Sequence, residues 1–284
     1  MPVLHIILGP TAVGKSDYAV AEALRVGSPV VSCDSRQFYR EMRIGTARPS
    51  DAQLAAVPHY FIADRSVTEP CSAGAYELEA LALLEKLFRE HDTVVMAGGS
   101  GLYIDALCNG LDDFPESDPA LRATLSQRLR EEGVAALRAD LRVLDPETYA
   151  TIDPANGQRI VRALEVTIAT GRPYSSFKTR PSKKRPFTIV KTGLTRPRPA
   201  LYARIDARVD QMMAEGLLEE ARNLLPHRDL PALNTVGYKE LFGYFDGEYD
   251  LAEAVRLIKR NTRHYAKKQL TYWGRDDSIE WIEI

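Results

Sequence analysis

Gly9-Pro10-Thr11-Ala12-Val13-Gly14-Lys15-Ser16 fits the pattern G-x-x-x-x-G-K-[ST], and its reading decides the fold. The pattern describes a loop that wraps a phosphate chain in backbone amides. Glycines let successive N–H groups turn toward one anion, and the helix that follows adds the positive end of its dipole. Lys15 supplies a point charge to phosphate oxygens, and the Ser16 hydroxyl suits a bound Mg2+ ion. The flanks agree with this reading. Val3-Leu4-His5-Ile6-Ile7-Leu8 is an apolar run of strand length, and the stretch from Ser16 to Leu24 has helical spacing. Strand, glycine turn and helix form the setting that a phosphate loop requires; a glycine turn without a ligand is the plain alternative.

Working outward, Pro29-Val30-Val31-Ser32-Cys33 reads as a second strand that ends on the polar cluster Asp34-Ser35-Arg36-Gln37. In open α/β sheets that edge is where ligands sit. Ile44-Gly45-Thr46-Ala47-Arg48-Pro49 reads as a loop, and residues 58–63 as a short strand. Ser72 opens a helix with Ala75, Leu78, Leu81, Ala82, Leu84 and Leu87 on its expected apolar face. Thr93-Val94-Val95-Met96-Ala97 reads as a buried strand, followed by Gly98-Gly99-Ser100-Gly101 and a helix from Leu102. Strands alternating with helices indicate a parallel sheet with helices on both faces, the α/β core that carries phosphate loops in nucleotide-binding proteins. From Asp112 the pattern changes to helical spacing at Leu121, Leu125, Leu129, Val134, Leu137 and Leu141. Asn156 is a candidate cap for a helix that Gly171 and Pro173 end. A basic loop over 178–186 then leads back to a strand over 187–194. The expected organisation is a core of residues 1–112 and 186–284, with residues 113–185 as a helical insertion. The remainder reads as mainly helical, with Asp250 and Glu253 as a capping box for a long last helix.

The chain has 284 residues, enough for one or two domains with a sizeable core. No apolar run approaches the roughly 20 residues of a membrane span. A soluble, unprocessed protein and no membrane partner are expected. Cys33, Cys71 and Cys108 show no metal-ligand spacing and fit a reducing cytoplasm. The net charge of −2 hides an uneven distribution. Ten Lys/Arg and no acid lie between Val166 and Ile205, seven more without an acid between Arg256 and Arg275, and the first 165 residues carry 24 acids against 16 bases. Two such stretches suit a polyanion docked on one side; a solvated helix face with a basic loop is the alternative.

A phosphate loop alone is compatible with an ATPase, a GTPase or a small-molecule kinase. A hydrolytic motor also needs an apolar strand ending in an acid that helps hold magnesium. The candidate strand here ends Met96-Ala97-Gly98-Gly99-Ser100, with no acid. Asp34 stands instead at the end of the neighbouring strand, facing the mouth of the loop. A carboxylate there can ligate magnesium through water, take a proton from a nucleophile, or simply cap the Ser35 segment. Gly98-Gly99-Ser100-Gly101 is either a second phosphate cradle or a tight turn. Arg159 and Arg162 share a helix face and can reach a nucleic-acid backbone or pair with Glu165. Arg204 and Arg208, at i and i+4, suit a clamp on phosphate oxygens or pairing with Asp206 and Asp210.

Six motifs in order make a more specific pattern: the phosphate loop; Asp34-Ser35-Arg36-Gln37 with Ile44-Gly45-Thr46-Ala47; Ala97-Gly98-Gly99-Ser100-Gly101-Leu102-Tyr103-Ile104; Gln158-Arg159-Ile160-Val161-Arg162-Ala163-Leu164-Glu165; Val236-Gly237-Tyr238-Lys239-Glu240-Leu241; and Lys267-Lys268-Gln269-Leu270-Thr271. Together they resemble the bacterial tRNA dimethylallyltransferases, from the first strand to about Thr271. The resemblance implies transfer of a dimethylallyl group from dimethylallyl diphosphate to N6 of the adenosine 3′ to the anticodon, position 37, with magnesium. It implies catalytic roles for Asp34, Thr11 and Arg208, with Asp34 as general base. Gly9, Pro10, Thr11, Ala12, Val13, Gly14, Lys15 and Ser16 would hold the diphosphate, Ser16 the metal, and Arg204 or Arg208 would complete the site, Arg208 being preferred. Contacts to tRNA are implied for Asp34, Ser35, Arg36, Gln37, Ser100, Gln158, Arg159, Ile160, Val161, Arg162, Gly237, Tyr238, Lys239, Lys267 and Gln269. The helical insertion would meet the anticodon stem, and a cytoplasmic monomer is expected. Ser100 stands where the family usually has threonine, keeping the hydroxyl. Two rivals are an adenylate prenyltransferase acting on a free nucleotide and a kinase of the same fold; a tRNA-binding module without catalysis would have no need for Asp34.

Overall fold

Strand β1, Val3–Leu8, is an interior strand of the sheet. The structure, a computed structural model, describes residues 1–179 and 183–284. The other strands are β2 (Val30–Ser32), β3 (His59–Tyr60), β4 (Thr93–Gly98), β5 (Thr188–Thr195) and β6 (Ile279–Glu283). They form one sheet in the order β3-β2-β4-β1-β5-β6, with every neighbouring pair parallel. Side chains on a strand alternate between faces, and β1 shows the consequence. Leu4, Ile6 and Leu8 pack on one side of the sheet with Val94 and Met96. Ile7 packs on the other with Val95. All four β1 residues are fully buried, as a strand covered on both faces should be.

The helices are α1 (Lys15–Val26), α2 (Asp51–Ala56), α3 (Ala73–Leu87), α4 (Gly101–Asn109), α5 (Pro119–Leu144), α6 (Pro146–Thr151), α7 (Gly157–Thr170), α8 (Arg198–Ala214), α9 (Leu217–Leu224), α10 (Tyr238–Phe245) and α11 (Leu251–Trp273). Helices α3 and α4 cover the Leu4–Leu8 side, and α1 and α8 the Ile7 side. The expected caps form: Ser72 accepts from Ala75 N–H at 3.1 Å, and Asp250 from Glu253 N–H at 2.8 Å. Glu253 does not reach back to complete a capping box. It pairs with Arg256 instead.

The chain divides into two compact units, Met1–Cys108 with Lys184–Ile284, and Asn109–Lys183. The second is a helical hairpin with its own core of Leu125, Leu137, Leu141, Ile160, Val161, Ala163 and Leu164. Helix α5 breaks at Gly133, which takes φ 81° and ψ 172°. Asn156 caps α7 through Arg159 N–H, and Gly171 ends it in the left-handed conformation. Of the basic loop expected over 178–186, residues 180–182 lie outside the described residues.

Three expectations need correction. The buried face of α3 is Ala73, Tyr76, Glu77, Ala80, Leu84 and Leu87, while Leu78 is 71% exposed. The reason is Glu77: its carboxylate accepts from Arg185 at 2.7 Å, so an acid was drawn to the covered side. Arg185 also donates to the carbonyls of Ala106 and Leu107, which makes it a buried anchor and not a linker charge. On α11 the spacing of Val255, Ile258, Thr262, Tyr265, Gln269 and Trp273 predicts one shared side, yet Ala254 and Ala266 are among the buried positions and Tyr265 is exposed. Finally, the remainder that reads as mainly helical also holds a strand, β6, paired with β5; Gly193 leaves room for the Trp281 ring, since a Cβ there would come within 2.6 Å of it.

Candidate active site

Three loops leave the C-terminal ends of the adjacent strands β1, β4 and β2 and meet at one edge of the sheet. The loop after β1 is the phosphate loop. Gly9 takes φ 149°, and a Cβ there would lie 2.6 Å from the Leu194 carbonyl oxygen. Ala12 holds φ 65°, an uncommon conformation for a residue with a side chain and one that concentrates at ligand sites. Gly14 precedes α1 and offers no side-chain cap, so the first amides of that helix keep their donors for an anion. The loop is braced from behind by Gln269, whose amide oxygen accepts from Thr11 N–H and whose NH2 donates to the Gly99 carbonyl, both at 2.8 Å.

Asp34 follows β2. Its Oδ1 accepts from Arg36 N–H at 2.9 Å, an Asx turn that fixes the carboxylate against its own backbone. The position is set from below. Cys33 N–H donates to Ala97, and Gly98 passes so close that a Cβ would meet the Cys33 sulfur at 2.5 Å. The Tyr76 hydroxyl donates to the Ser32 carbonyl, and Phe38 stacks on Tyr76. Ser35 and Ser100 bind each other: Ser35 N–H donates to Ser100 Oγ at 2.9 Å. The 98–101 segment is thus a tight turn that buttresses Asp34.

A cavity of about 590 Å³ opens between these loops, lined by Thr11, Lys15 and Ser16, by Asp34, and by Arg204 and Arg208 of α8. Lys15 donates to the carbonyls of Gly9 and Pro10 at 2.9 Å. Burial pushes its pKa down to about 8; the Asp34 carboxylate opposes the shift and the Arg208 guanidinium adds to it. Arg208 donates to the Thr11 hydroxyl, and Arg204 to the Ala12 carbonyl at 3.0 Å. Burial holds Arg208 down at about 10, with Asp34 again opposing. The Arg208 Nε is buried with no hydrogen-bond partner. Lys15, Arg204 and Arg208 are therefore crowded together on the phosphate-loop side of the cavity near Asp34, an arrangement suited to receiving more negative charge. Charged Lys15 binds an anion and neutral Lys15 does not. Hence the advantage of the wild type over Lys15→Ala in binding inorganic diphosphate is expected to shrink as pH rises through about 8. Calorimetry at pH 7 and 9.5 reads this directly; an advantage independent of pH contradicts the assignment.

The implied RNA-contacting residues fall into two groups. Ser35, Arg36 and Ser100 lie partly open near the Asp34 turn, and Gln158, Arg159, Lys239 and Lys267 are exposed. Others are placed in the interior. Ile160 and Val161 are fully buried in the helical unit's core, so their side chains pack α7 and face no solvent. Arg162 is tied to Glu165 at 3.1 Å and to the Pro115 carbonyl at 2.9 Å. Gln37 donates to the carbonyls of Thr46 and Ala47, and Gln269 braces the phosphate loop as above. Gly237 and Tyr238 are buried, and Tyr238 lies against Gly45, where a Cβ would be 2.6 Å from its ring.

That last contact joins two of the sequence motifs through a residue the sequence did not single out. Glu220 on α9 accepts from the Tyr238 hydroxyl and from the N–H groups of Arg43, Ile44 and Gly45 at 2.6–2.9 Å. It holds the 43–48 loop that forms one wall of the cavity. No local spacing marks Glu220, because its partners lie 18 and about 176 positions away.

The IPP transferase family model matches residues 37–276, most of the chain. The chain belongs to the IPP transferase family. A relative from Porphyromonas gingivalis named tRNA dimethylallyltransferase 2 is 52% identical over 279 residues, 98% of this chain and 93% of that one. A Bacteroides thetaiotaomicron relative named tRNA dimethylallyltransferase 1 is 49% identical over 282 residues, 99% of this chain and 92% of that one. The solved tRNA isopentenylpyrophosphate transferase of Bacillus halodurans is similar throughout, with a TM-score of 0.73 at 36% identity, covering 100% of this chain and 90% of that one. This chain's phosphate-loop residues Thr11, Lys15 and Ser16 and the Asp34 carboxylate at the end of β2 all line the cavity.

Proposed function

We propose that the protein transfers the dimethylallyl group of dimethylallyl diphosphate to N6 of the adenosine 3′ to the anticodon, position 37, of tRNA. The observation that carries this is the cavity in which Asp34 faces Lys15 and Arg208 across the mouth of the phosphate loop. The diphosphate lies against the loop amides, Lys15 and Arg208. As the C1–O bond of the donor breaks, these groups stabilise the charge that develops on the leaving diphosphate. The adenine N6 attacks C1, a C–N bond forms, and Asp34 takes the N6 proton. Enclosing both reactants keeps water from the allylic carbon.

Ser16 lines the cavity at the start of α1, and among the described residues no group of three His, Cys, Asp or Glu is placed to hold a metal. That donor set fits Mg2+, which takes most of its ligands from substrate phosphates and water, with Ser16 as the protein's contact. When bound, the ion supplies positive charge to the diphosphate.

The RNA reading is supported by the second half of α11. Lys267 and Lys268 are exposed, with Tyr265 and Tyr272 at 43% and 41% exposure beside them. A cleft of about 270 Å³ is lined by Tyr265, Lys268 and Tyr272 together with Ser35 and Ser100. Cations interleaved with aromatic rings suit an unpaired stretch of RNA, whose phosphates and bases they contact in turn. No helix among the described residues is long and apolar enough to cross a membrane.

In the helical unit, Arg159 is the exposed cation of its motif, free to meet a phosphate. Arg159→Ala is expected to raise the tRNA KM several-fold and to reduce the slope of log KM against log salt by about 1. Arg162→Ala should instead lower Tm. Unchanged tRNA kinetics in the first variant would make Arg159 a surface charge only. The function itself is tested by incubating radiolabelled dimethylallyl diphosphate with tRNA or with AMP. Label in tRNA, recovered after digestion as N6-(dimethylallyl)adenosine, supports the proposal; label in AMP alone makes the protein an adenylate prenyltransferase.

A further inference from the structure

The 43–48 loop carries two arginines with opposite fates. Arg43 points outward and pairs with Asp51 at 3.1 Å. Arg48 lines the cavity. Its Nε is buried, and its guanidinium has no hydrogen-bond or ion-pair partner among the described residues. The other three cations of the cavity are each tethered to the phosphate loop itself, Lys15 on Gly9 and Pro10, Arg204 on Ala12, and Arg208 on Thr11. Arg48 enters from a different wall.

That wall is held from both sides. Glu220 takes three of its N–H groups from outside, and Gln37 binds the Thr46 and Ala47 carbonyls from inside. Within the loop Ala47 N–H donates to Ile44, Arg48 N–H to Arg43, and Thr46 Oγ1 to Met42. A cation partly withdrawn from water with no counter-charge is costly unless an anion arrives. A rigid loop that presents one has already met the cost of orienting it. We infer that Arg48 is a further diphosphate-binding residue, gripping the leaving group from the wall formed by the 43–48 loop. The inference rests on the reading of the cavity as the donor site.

The test titrates inorganic diphosphate, with Mg2+, into the wild type, Arg48→Gln and Arg48→Lys, and measures donor and tRNA KM for each. Binding by the wild type checks the donor site itself; its absence sinks that reading before Arg48 is at issue. Given wild-type binding, Arg48→Gln is expected to weaken diphosphate on the order of tenfold or more, the scale of one charge-assisted contact. The donor KM should rise in proportion and the tRNA KM stay level. Arg48→Lys keeps the charge without the two-pronged geometry and should fall between. Should Arg48→Gln lower Tm, Arg48→Lys decides alone. Diphosphate affinity equal to wild type in the folded variants overturns the inference, as does a loss confined to tRNA KM.

Discussion

Replacing Asp34 by alanine is expected to lower kcat by 10²-fold or more while leaving Tm and diphosphate affinity close to wild type. A general base contributes roughly 10²- to 10⁴-fold, and Asp34 is the carboxylate that faces both Lys15 and Arg208 in the cavity. Its structural duty is small. It accepts one backbone N–H two residues along, from a turn also held by Ser100, Tyr76 and Phe38, so the loop should keep its shape. Asp34→Asn preserves that turn and removes only the basicity, so it should be nearly as slow. Single-turnover transfer with saturating tRNA measures the chemical step. A variant within a few-fold of wild type would leave proton removal to water and Asp34 to capping.

The second large effect lies at Lys15. Lys15→Ala should weaken diphosphate binding by roughly 10- to 100-fold, the loss of charged hydrogen bonds that contribute about 1.5–3 kcal/mol. The same substitution should stabilise the unliganded protein. Burial lowers the Lys15 pKa from its ordinary 10.5 to about 8, so the native state disfavours its proton. The penalty, of order 3 kcal/mol at most, is fully present below pH 8 and fades as pH rises toward the unfolded value. At pH 7 the variant should therefore melt above the wild type, and the difference should narrow from pH 8 upward. Thermal melts across that range, paired with calorimetry, read both halves. Loss of binding with a lower Tm at pH 7 would mean that Lys15 holds the loop together and does not wait for an anion. A site that is less stable than it could be, because it keeps cations for its ligand, is a common trade between activity and stability.

Much of this was legible because it is local. The phosphate loop, its strand and its helix are adjacent in sequence, and caps such as Ser72, Asn156 and Asp250 act within three residues. What the sequence hid is what distant contacts decide. Glu77 looks like a solvent-facing acid until Arg185, 108 residues later, covers it. Leu78 looks like core until that pairing turns the helix. Edge strand β6 is five residues long and mixes Glu with Ile and Trp; only the Gly193 gap on β5 gives Trp281 a place. Motif residues were also easier to find than to assign. Gln269, Tyr238 and Gln37 stand in stretches that look like RNA contacts, yet their polar atoms brace the two loops that form the cavity. A motif marks residues that serve the site, whether by touching the substrate or by holding the wall that does.

The most direct measurement is a structure of the protein with a non-reacting thiolo analogue of dimethylallyl diphosphate and Mg2+. The account predicts the diphosphate against the 9–16 amides within hydrogen-bond distance of Lys15 and Arg208, with C1 turned toward Asp34. Donor bound outside this cavity, or seated in it with C1 pointing away from Asp34, would contradict it.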